Sequence, residues 1–355
     1  MKRRNVVKAL LAAGLLQTFN KTTKSYAQST IRLKLCTTWS PKMPILQDSA
    51  DLFADLVKAA TNNKVQIKVY AGGELIPAFG VFDSVSQGSV DLGIGSPYYW
   101  GGKSVSFPLF ATVPFGLNAQ QFNSWLLNGG GNELWQEAYK PFNLVPFSIG
   151  NTGTQMGGWY KKPINSVQDL KGLKIRIPGI GGEIMSKVGA SVVLLPGSEV
   201  YTALERGTID AAEWTGPFHD ERLGLHRAAK NYYYPGWQEP CSNIELIANS
   251  KTWSSLDPNI QAIIKLAADS VARWCLLRCE AENGPALKRL KTEHAVQVKL
   301  FPDDVIKVLK EASISYLTEL RNKDPFAAKV IASVETFKAS ITEWANISEQ
   351  EIGRA

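Results

Sequence analysis

Strand and helix patterns alternate along the N-terminal part of the chain, and this alternation constrains the fold more than any other feature. Apolar residues alternate with polar ones over 31–35, 65–69 and 90–94, which predicts three half-buried strands. Apolar residues recur every three or four positions over 44–60, and a second helix is predicted over 77–87. Strands joined by helices through short connections predict a parallel sheet with right-handed crossovers.

The middle of the chain repeats this order of elements. A short helix ending near residue 170 is followed by a predicted strand over 173–177, a helix over 183–188, a strand over 191–195 and a helix over 198–205. A second α/β unit is therefore predicted after the first.

Two joints between these elements have the same pattern. Residues 87–93 and 206–212 each contain a helix end, a glycine, a small hydroxyl residue, a β-branched residue, an aspartate and the start of a strand. Such joints are common, so coincidence is one interpretation. Their occurrence in two α/β segments favours two similarly built lobes, and a cleft between lobes is where a small ligand binds.

The chain from Pro258 onward is predicted to be mainly helical. Its last helix carries a stripe with three- and four-residue spacing, formed by Val334, Phe337, Ile341, Trp344 and Ser348. The stripe has two interpretations. The helix packs back on its own lobe, or it docks on a second copy of the chain.

The N-terminus has the pattern of a bacterial secretory leader. Arg3 and Arg4 precede a short apolar stretch over 9–16, and Ser25 and Ala27 supply small residues for cleavage. The arginine pair also fits a twin-arginine leader, so Sec and twin-arginine export remain alternatives. The apolar stretch is too short to span a bilayer, so we expect residues 1–27 to be removed as a signal peptide. The mature protein is then expected in the periplasm.

Most of the positive charge of the chain lies in this leader. The formal net charge is +7, and residues 1–27 contain six basic residues and no acidic one, so the remainder has a charge of +1. A balanced remainder does not favour nucleic acid as a partner.

The motifs of common enzyme classes are absent from the sequence. It contains no HExxH, GxSxG, Walker A or GxGxxG motif. The three histidines, His219, His226 and His294, are expected to be solvated or locally bonded. We therefore predict that the protein is not an enzyme.

The cysteines have two interpretations. Cys275 and Cys279 lie four residues apart in a predicted helix, which fits a soft-metal or redox pair, or two small hydrophobic residues on one helix face. The second interpretation is favoured because no histidine lies at ligand spacing. The sequence leaves the pairing of these two with Cys36 and Cys241 open.

The remaining polar residues fit a binding site better than a catalytic one. Arg176 lies in an otherwise apolar strand, and its guanidinium can hold a carboxylate through two hydrogen bonds; the alternative is a surface arginine on an edge strand. Glu213 ends a predicted strand over 208–212 on its covered side, where a carboxylate needs a cation or several donors. Trp214 beside it can pack over a small ligand.

Two loops add further oxygen atoms to this set. Gln155 lies in the loop 152–160, and Glu239 lies in the loop 235–240. Carboxylate and amide oxygens together suit a hard cation such as Na⁺ or Ca²⁺ rather than zinc or copper.

These residues lie in motifs that resemble a known family. Residues 169–176, DLKGLKIR, and 203–214, ALERGTIDAAEW, resemble the DctP-type solute receptors of tripartite ATP-independent periplasmic (TRAP) transporters. The resemblance extends over about 31–335. Residues 151–159, NTGTQMGGW, and 232–237, YYYPGW, are similar to the subgroup that binds 2-oxo acids or lactate with a metal cation.

The resemblance implies roles for individual residues. Arg176 would hold the substrate carboxylate, and Tyr98 and Tyr99 would form the wall from the other lobe. A metal cation, Na⁺ in preference to Ca²⁺, would bridge the 2-oxo or 2-hydroxy group and the carboxylate to the protein. The implied ligands of the cation are Gln155, Glu213, the backbone carbonyl of Trp214, and Glu239 or, in its place, Gln238. Gln155 and Trp214 would also contact the substrate.

The resemblance also implies an α/β, periplasmic-binding-protein-like fold with parallel-rich sheets, in which two lobes close on a ligand cleft. Lobe I would comprise 28–152 and about 242–282, and lobe II would comprise 153–241 and about 283–334. Residues 335–355 would form a long C-terminal helix, the segment through which some relatives form a swapped homodimer.

The implied function is that of a transport receptor. The protein would capture a small 2-oxo monocarboxylate such as pyruvate and deliver it to the membrane permease subunits of a TRAP transporter. The alternatives are lactate or another 2-hydroxy acid bound with Ca²⁺, and a ligand-binding protein of the same fold that feeds a sensor.

Overall fold

The computed structural model describes residues 30–348, so the predicted leader and residues 349–355 lie outside it. Elements are numbered here in chain order. The strands are β1 (Ile31–Thr37), β2 (Val65–Tyr70), β3 (Leu92–Gly95), β4 (Leu144–Asn151), β5 (Gly158–Tyr160), β6 (Lys174–Arg176), β7 (Ser191–Val193), β8 (Ala211–Ala212), β9 (Asn231–Tyr234), β10 (Asn243–Asn249) and β11 (Gln297–Leu300).

The helices cover the faces of the sheets and form the C-terminal part of the described chain. They are α1 (Leu46–Ala60), α2 (Val81–Ser86), α3 (Ala119–Asn128), α4 (Gly131–Tyr139), α5 (Gly179–Lys187), α6 (Gly197–Arg206), α7 (Pro217–Leu223), α8 (Leu225–Ala228), α9 (Ser250–Ser255), α10 (Pro258–Thr292), α11 (Asp303–Lys323) and α12 (Pro325–Ile347). Short 3₁₀ turns include Pro97–Trp100, Phe107–Phe110 and Val167–Leu170. No helix among the described residues is long and apolar enough to cross a membrane.

The strands form two sheets, which we call the first and second sheet. The order across the first sheet is β2-β1-β3-β10-β4, and the order across the second sheet is β11-β9-β5-β8-β6-β7. In each sheet one strand runs against the rest: β10 is antiparallel to β3 and β4, and β5 is antiparallel to β8 and β9. Both reversed strands directly follow a segment in which the chain crosses from the other sheet, so they enter from the opposite end.

The predicted strand–helix–strand units are present, with shifted ends. β1 pairs in parallel with β2 and β3, and β6 pairs in parallel with β7 and β8. The helix predicted over 77–87 is a 3₁₀ turn followed by α2, and the helix predicted from 183 begins at Gly179. The strand predicted over 208–212 is only Ala211–Ala212, because Thr208 and Ile209 donate their N–H groups to the carbonyl of Ala203 near the end of α6.

The two joints that match in sequence also match in structure. Gly88 and Gly207 have φ values of 76° and 77°, which favour glycine. Before β3, Asp91 donates its N–H to the carbonyl of Lys34 and accepts the N–H of Lys34 at Oδ2, at 3.2 and 2.8 Å. Before β8, Asp210 makes the same two bonds with Lys174, at 2.7 and 3.1 Å. The two lobes therefore start corresponding strands with the same device.

Helix α10 contacts both parts of the molecule. It packs on α1 and β4 beside the first sheet and on α7 beside the second sheet. Cys275 and Cys279 are buried on it, in a cluster with Ile45 and Phe218, which agrees with the interpretation of two small hydrophobic residues. Among the described residues all four cysteines are free thiols.

The last described helix, α12, packs back on its own chain. Asp324 caps it by accepting the N–H of Ala327 at 2.6 Å. The helix contacts α3 and α4, and the indole of Trp125 donates to the hydroxyl of Ser333 at 3.0 Å. Its final turns pack less closely on the rest of the chain, and the side chain of Trp344 there is 68% exposed.

The matched joints generate a prediction about stability. Replacing Gly207 by alanine should destabilise the protein by about 1–2 kcal/mol, since a side chain is strained in the left-handed region, and Gly88→Ala should have a similar effect. A Cβ at either position meets no atom closer than 3.4 Å, so the effect comes from the backbone. Urea unfolding followed by circular dichroism measures it. Gly102→Ala is the control, because Gly102 has open space and an ordinary φ. Equal midpoints for all three variants would contradict the prediction.

Candidate functional site

The candidate site is formed where several strands end. β3 leads into the 3₁₀ turn Pro97–Trp100, which carries Tyr98 and Tyr99, and β8 leads directly into Glu213 and Trp214. The carboxyl ends of strands in open α/β sheets are the usual place for a ligand crevice. The matched joints therefore deliver one group of site residues from each sheet.

Arg176 is buried at the end of β6, with 1% of its surface exposed. Because β6 lies between β7 and β8, the alternative of a surface arginine on an edge strand is wrong. Its Nη1 donates to the backbone carbonyl of Glu213 at 2.6 Å and lies 3.2 Å from Oε2 of the same residue. Nε donates to the carbonyl of Leu195 at 3.2 Å. Nη2 is buried and bonds to no described residue, so its N–H groups remain available to a ligand.

Two buried carboxyl groups accompany this single arginine. Glu213 is fully buried, and burial together with the charge of Glu239 raises the pKa of its carboxyl well above the ordinary value, against the opposing charge of Arg176. Burial raises the pKa of Glu239 to about 8, although the charge of Arg176 opposes the shift. The arginine is thus too little positive charge for both carboxylates.

Four side-chain oxygens in this region are buried without a hydrogen-bond donor from the described residues. They are Oε1 of Gln155, Oε1 of Glu213, Oε1 of Gln238 and Oε2 of Glu239. Unpaired buried polar atoms are uncommon in proteins and need an explanation, and a bound water or ion is one. Carboxylate and amide oxygens are the ligands of a hard cation, so these residues fit Na⁺ or Ca²⁺.

The loops that carry the amide groups are packed tightly together. The N–H of Gln155 donates to the carbonyl of Glu239 at 3.2 Å, and Nε2 of Gln238 donates to the carbonyl of Met156 at 2.8 Å. A Cβ on Gly236 would lie 2.1 Å from the carbonyl oxygen of Gln155, so only glycine permits this approach. Both Gln238 and Glu239 keep an unpaired oxygen, so the choice between them as cation ligand remains open.

The wall from the first sheet consists of two tyrosines. The rings of Tyr98 and Tyr99 lie 4.8 Å apart and nearly perpendicular, at 86°. Burial, then the nearby charge of Glu239, raises the pKa of Tyr98 well above its ordinary value, and burial raises that of Tyr99 to about 12. Both hydroxyls therefore stay neutral and can donate a hydrogen bond. A cavity of about 320 Å³ opens beside them, between this turn and the start of α5.

Trp214 lies against the arginine. Its ring centre is 5.0 Å from Cζ of Arg176, a distance that allows a cation–π interaction. On the other side it packs on Gly197, where a Cβ would lie 2.4 Å from the indole. No backbone or side-chain bond to the carbonyl of Trp214 is present among the described residues, so this oxygen is free for a ligand.

A supporting network around Asp220 was missed from the sequence. Its Oδ2 accepts bonds from the indole of Trp159 and the hydroxyl of Tyr232, both at 2.8 Å, and its Oδ1 accepts the N–H of Thr215 at 3.1 Å. Burial nevertheless raises the pKa of Asp220 to about 6. The network fixes the chain just after Glu213. Trp159 and Tyr232 were both within noted motifs, but their common partner is remote in sequence.

The histidines were expected to be solvated or locally bonded, and two of the three are buried and therefore not solvated. His219 lies in α7 and is fully buried, and burial lowers its pKa to about 4. His226 is also buried, with its ring 4.2 Å from that of His294. A run of His, Asp and Glu predicts a solvent-exposed segment from the sequence alone. In the fold, α10 and residues of the second sheet pack over the start of α7 and bury His219 and Asp220.

Comparisons with known proteins agree with this architecture. The family model described as "Bacterial extracellular solute-binding protein, family 7" (DctP) matches residues 35–324. A monocarboxylate 2-oxoacid-binding periplasmic protein of Nostoc sp. is 41% identical over 357 residues, covering 98% of this chain and 97% of that protein.

Two solved structures of TRAP periplasmic solute-binding proteins are also similar. The protein from Pseudoalteromonas atlantica, with bound sodium and pyruvate, has a TM-score of 0.90 and 39% identity, covering 92% of this chain and 99% of that one. The protein from Colwellia psychrerythraea, with bound calcium and pyruvate, has a TM-score of 0.89 and 39% identity, covering 91% and 99%.

These likenesses confirm the predicted two-lobed α/β fold and the predicted location outside the cytoplasm. The family match covers most of the chain, and the structural likeness covers both sheets. The chain therefore belongs to family 7 of the bacterial extracellular solute-binding proteins (DctP), the solute receptors of TRAP transporters.

Proposed function

We propose that this receptor captures a small 2-oxo monocarboxylate of the pyruvate type together with a metal cation, and delivers it to the membrane permease of a TRAP transporter. The observation that carries the proposal is the pairing of unused donors and unused acceptors in one buried cluster. Nη2 of Arg176 has no partner among the described residues. Neither has Oε1 of Gln155, Oε1 of Glu213 or Oε2 of Glu239.

The proposed substrate satisfies both halves of this cluster. Its carboxylate would bond to Arg176, and the neutral hydroxyls of Tyr98 and Tyr99 would face it from the first sheet. The cation, held by Gln155, Glu213, the Trp214 carbonyl and Glu239 or Gln238, would supply a Lewis-acid partner for the 2-oxo and carboxylate oxygens. Acids without a 2-oxo or 2-hydroxy group offer the cation only their carboxylate, so the arrangement favours 2-substituted acids.

The net charge of the cluster bears on which cation it binds. With both carboxyl groups ionised, Glu213, Glu239 and Arg176 leave one negative charge in excess. Na⁺ brings the cluster to neutrality before the substrate arrives, whereas Ca²⁺ brings it to neutrality once a monocarboxylate has bound. We propose Na⁺ as the resident cation for this reason, with Ca²⁺ as the alternative, and the related proteins with sodium and with calcium support both as candidates.

Capture would involve closure of the two lobes over the substrate. We propose lobe I as 28–152 with about 242–282, and lobe II as 153–241 with about 283–334, joined by the two crossing segments and α10. Tyr98 and Tyr99 would come from lobe I, and the cation ligands from lobe II. Binding would therefore draw the two halves of the site together.

The proposal includes no chemical conversion of the substrate. Within residues 30–348, no histidine or cysteine is bonded to a hydroxyl or carboxylate of the candidate site. Pyruvate recovered unchanged after long incubation with the protein supports a receptor, and turnover would assign an enzyme.

We also propose that two copies associate through residues 335–355. Of these, 335–347 are the last part of α12, and 349–355 lie outside the described residues. The exposed ends of this helix in the described chain, Trp344 and Ile347, are large apolar side chains that a partner would cover. Phe337 and Ile341 still pack on their own chain, so within the described residues the surface available to a partner is the last part of the helix, with Trp344 and Ile347.

The first prediction tests the substrate carboxylate. Arg176→Ala should weaken pyruvate binding by about 2–5 kcal/mol, because it leaves a buried carboxylate without its partner. Isothermal titration calorimetry measures the loss, and a thermal melt without ligand shows that the variant folds. Lys174→Ala, on the same strand but exposed, is the matched control. Unchanged affinity in Arg176→Ala would remove the arginine from the site.

The second prediction tests the cation. Tryptophan fluorescence should report saturable pyruvate binding with Na⁺ or with Ca²⁺, and none with chelator in sodium-free buffer. Glu239→Gln should shift the preference from Ca²⁺ towards Na⁺, because it removes one negative charge. A larger effect of Gln238→Ala would make Gln238 the ligand instead. Tighter binding of lactate than of pyruvate would assign a 2-hydroxy acid.

The third prediction tests the assembly. The mature chain should sediment as a dimer, and a chain ending at Glu335 should sediment as a monomer that still binds its ligand. Ile314→Ser, which changes an equally exposed apolar residue on α11, should remain dimeric. A monomeric mature chain would exclude the proposed association.

A further inference from the structure

A buried carboxyl group in the first sheet has no role in the cluster described above. Glu245 lies on β10, opposite Gly95 of β3 and Ser148 of β4, and is fully buried. No lysine or arginine among the described residues pairs with it. A carboxyl group buried without a cation is costly, so its retention in a core needs an explanation.

The carboxyl group is bonded to the turn that carries the tyrosine wall. The indole Nε1 of Trp100 donates a hydrogen bond to Oε1 of Glu245. Trp100 is the last residue of the 3₁₀ turn Pro97–Trp100, so this bond ties the turn to β10, 145 positions away in sequence. Gly95 makes room for the ring, because a Cβ there would lie 2.9 Å from Cζ2 of Trp100.

The backbone hydrogen bonds of the turn leave the orientation of its aromatic rings to side-chain contacts. Within it, the N–H of Tyr99 donates to Ser96 at 3.0 Å, and that of Gly101 donates to Tyr98 at 3.3 Å. These bonds set the backbone only. The ring of Tyr99 packs on those of Tyr98 and Trp100, at 4.8 and 6.0 Å, and also on those of Phe79 and Trp39, at 5.0 and 6.0 Å. The indole of Trp100 is therefore one of the contacts that orient the tyrosine pair, and it is the one that Glu245 holds by a hydrogen bond.

The surroundings keep Glu245 in its neutral form at ordinary pH. Burial raises its pKa to about 8, against the opposing effects of the hydrogen bond from the indole of Trp100 and of the nearby hydroxyl of Tyr139. The groups that face it are Gly95 from β3, Ser148 from β4, Trp100 from the turn and Tyr139 from α4. Of these only Tyr139 titrates, and burial raises its pKa well above the ordinary value.

We propose that Glu245 is a positioning residue for the ligand site: by holding the indole of Trp100 it fixes the Tyr98–Tyr99 wall against which the substrate is closed. The inference rests on the proposed function, because the wall belongs to that site. Glu245 itself touches no substrate. Its effect on affinity would pass through one hydrogen bond and two ring contacts.

The conservative variant separates positioning from bulk packing. Glu245→Gln keeps an acceptor for the indole and should bind pyruvate, with its cation, within about twofold of wild type at pH 7, whereas Glu245→Leu should lose about tenfold, the effect of one strong hydrogen bond. Trp100→Phe should lose a similar factor. The double variant Glu245→Leu/Trp100→Phe should bind no worse than either single one, because both remove the same bond.

A second core variant controls for general loss of stability. Phe107 packs in the same aromatic cluster, on Phe82 and Tyr139, without touching the Trp100 bond. Phe107→Leu should lower the melting temperature as Glu245→Leu does, yet keep its affinity. An equal loss of affinity in Phe107→Leu, or in Glu245→Gln, would overturn the proposal, as would strictly additive effects of Glu245→Leu and Trp100→Phe.

Alkaline pH supplies a readout that bulk packing would not move. As the pH rises through about 8, Glu245 ionises without a cation to face it, which favours hydration of the turn. Wild type should therefore lose affinity between pH 7 and pH 9.5 relative to Glu245→Gln. Comparing the two proteins at each pH cancels every other group that titrates in both.

Hydrogen exchange tests the same point without any ligand. Amides of residues 96–102 should exchange faster in wild type than in Glu245→Gln at pH 9.5, and at equal rates at pH 7. If wild type fails to bind pyruvate under any condition, the proposed function is wrong while this comparison still decides the positioning role. Identical exchange at pH 9.5 would overturn the proposal even in a protein that binds pyruvate well.

Discussion

Two carboxyl groups buried beside one arginine impose the constraint on which the rest of the site depends. Glu213 is held by the guanidinium of Arg176, but Glu239 adds a second acid to the same dry interior, and burial raises the pKa of both carboxyl groups. A protein that keeps such a cluster must admit protons, a cation or both. The unpaired amide oxygen of Gln155 favours a cation, because protonation of the carboxyl groups would not by itself give this oxygen a partner, whereas a cation can bind several oxygens at once. The site is thus built around positive charge supplied from outside.

The fold delivers these residues through a device used twice. In each sheet a glycine in the left-handed region ends a helix, and an aspartate then clamps the neighbouring strand through its backbone and its carboxylate. The strand that follows, β3 or β8, ends at the cleft and leads into site residues. Tyr98 lies in the turn after β3, and Glu213 directly follows β8. The tyrosine wall and the charged cluster are therefore both placed just beyond the end of a strand that begins with the same joint.

The sequence predicted the order of elements, the matched joints and the residues of the cluster, because these follow from periodicity and from local motifs. Arg176 and Glu213 are each recognisable beside a strand with a clear pattern. The reversed strands β5 and β10 were not predicted, since their direction depends on which lobe the chain has just left. The burial of His219 and Asp220 was also missed, because the donors to Asp220, Trp159 and Tyr232, come from other strands of the second sheet. Contacts between remote segments carry no local signal, and the support of this site consists largely of such contacts.

Each half of the site rests on a buried acid with which no basic side chain pairs in the part of the chain that the structure describes. Asp220 accepts bonds from an indole, a hydroxyl and a backbone amide, and it fixes the chain after Glu213. Glu245 accepts a bond from the indole of Trp100 and fixes the turn that carries Tyr98 and Tyr99. Neutral donors orient both acids through directional bonds. They leave the negative charge of Asp220 uncancelled, and this charge adds to burial and to the charge of Glu239 in raising the pKa of Glu213.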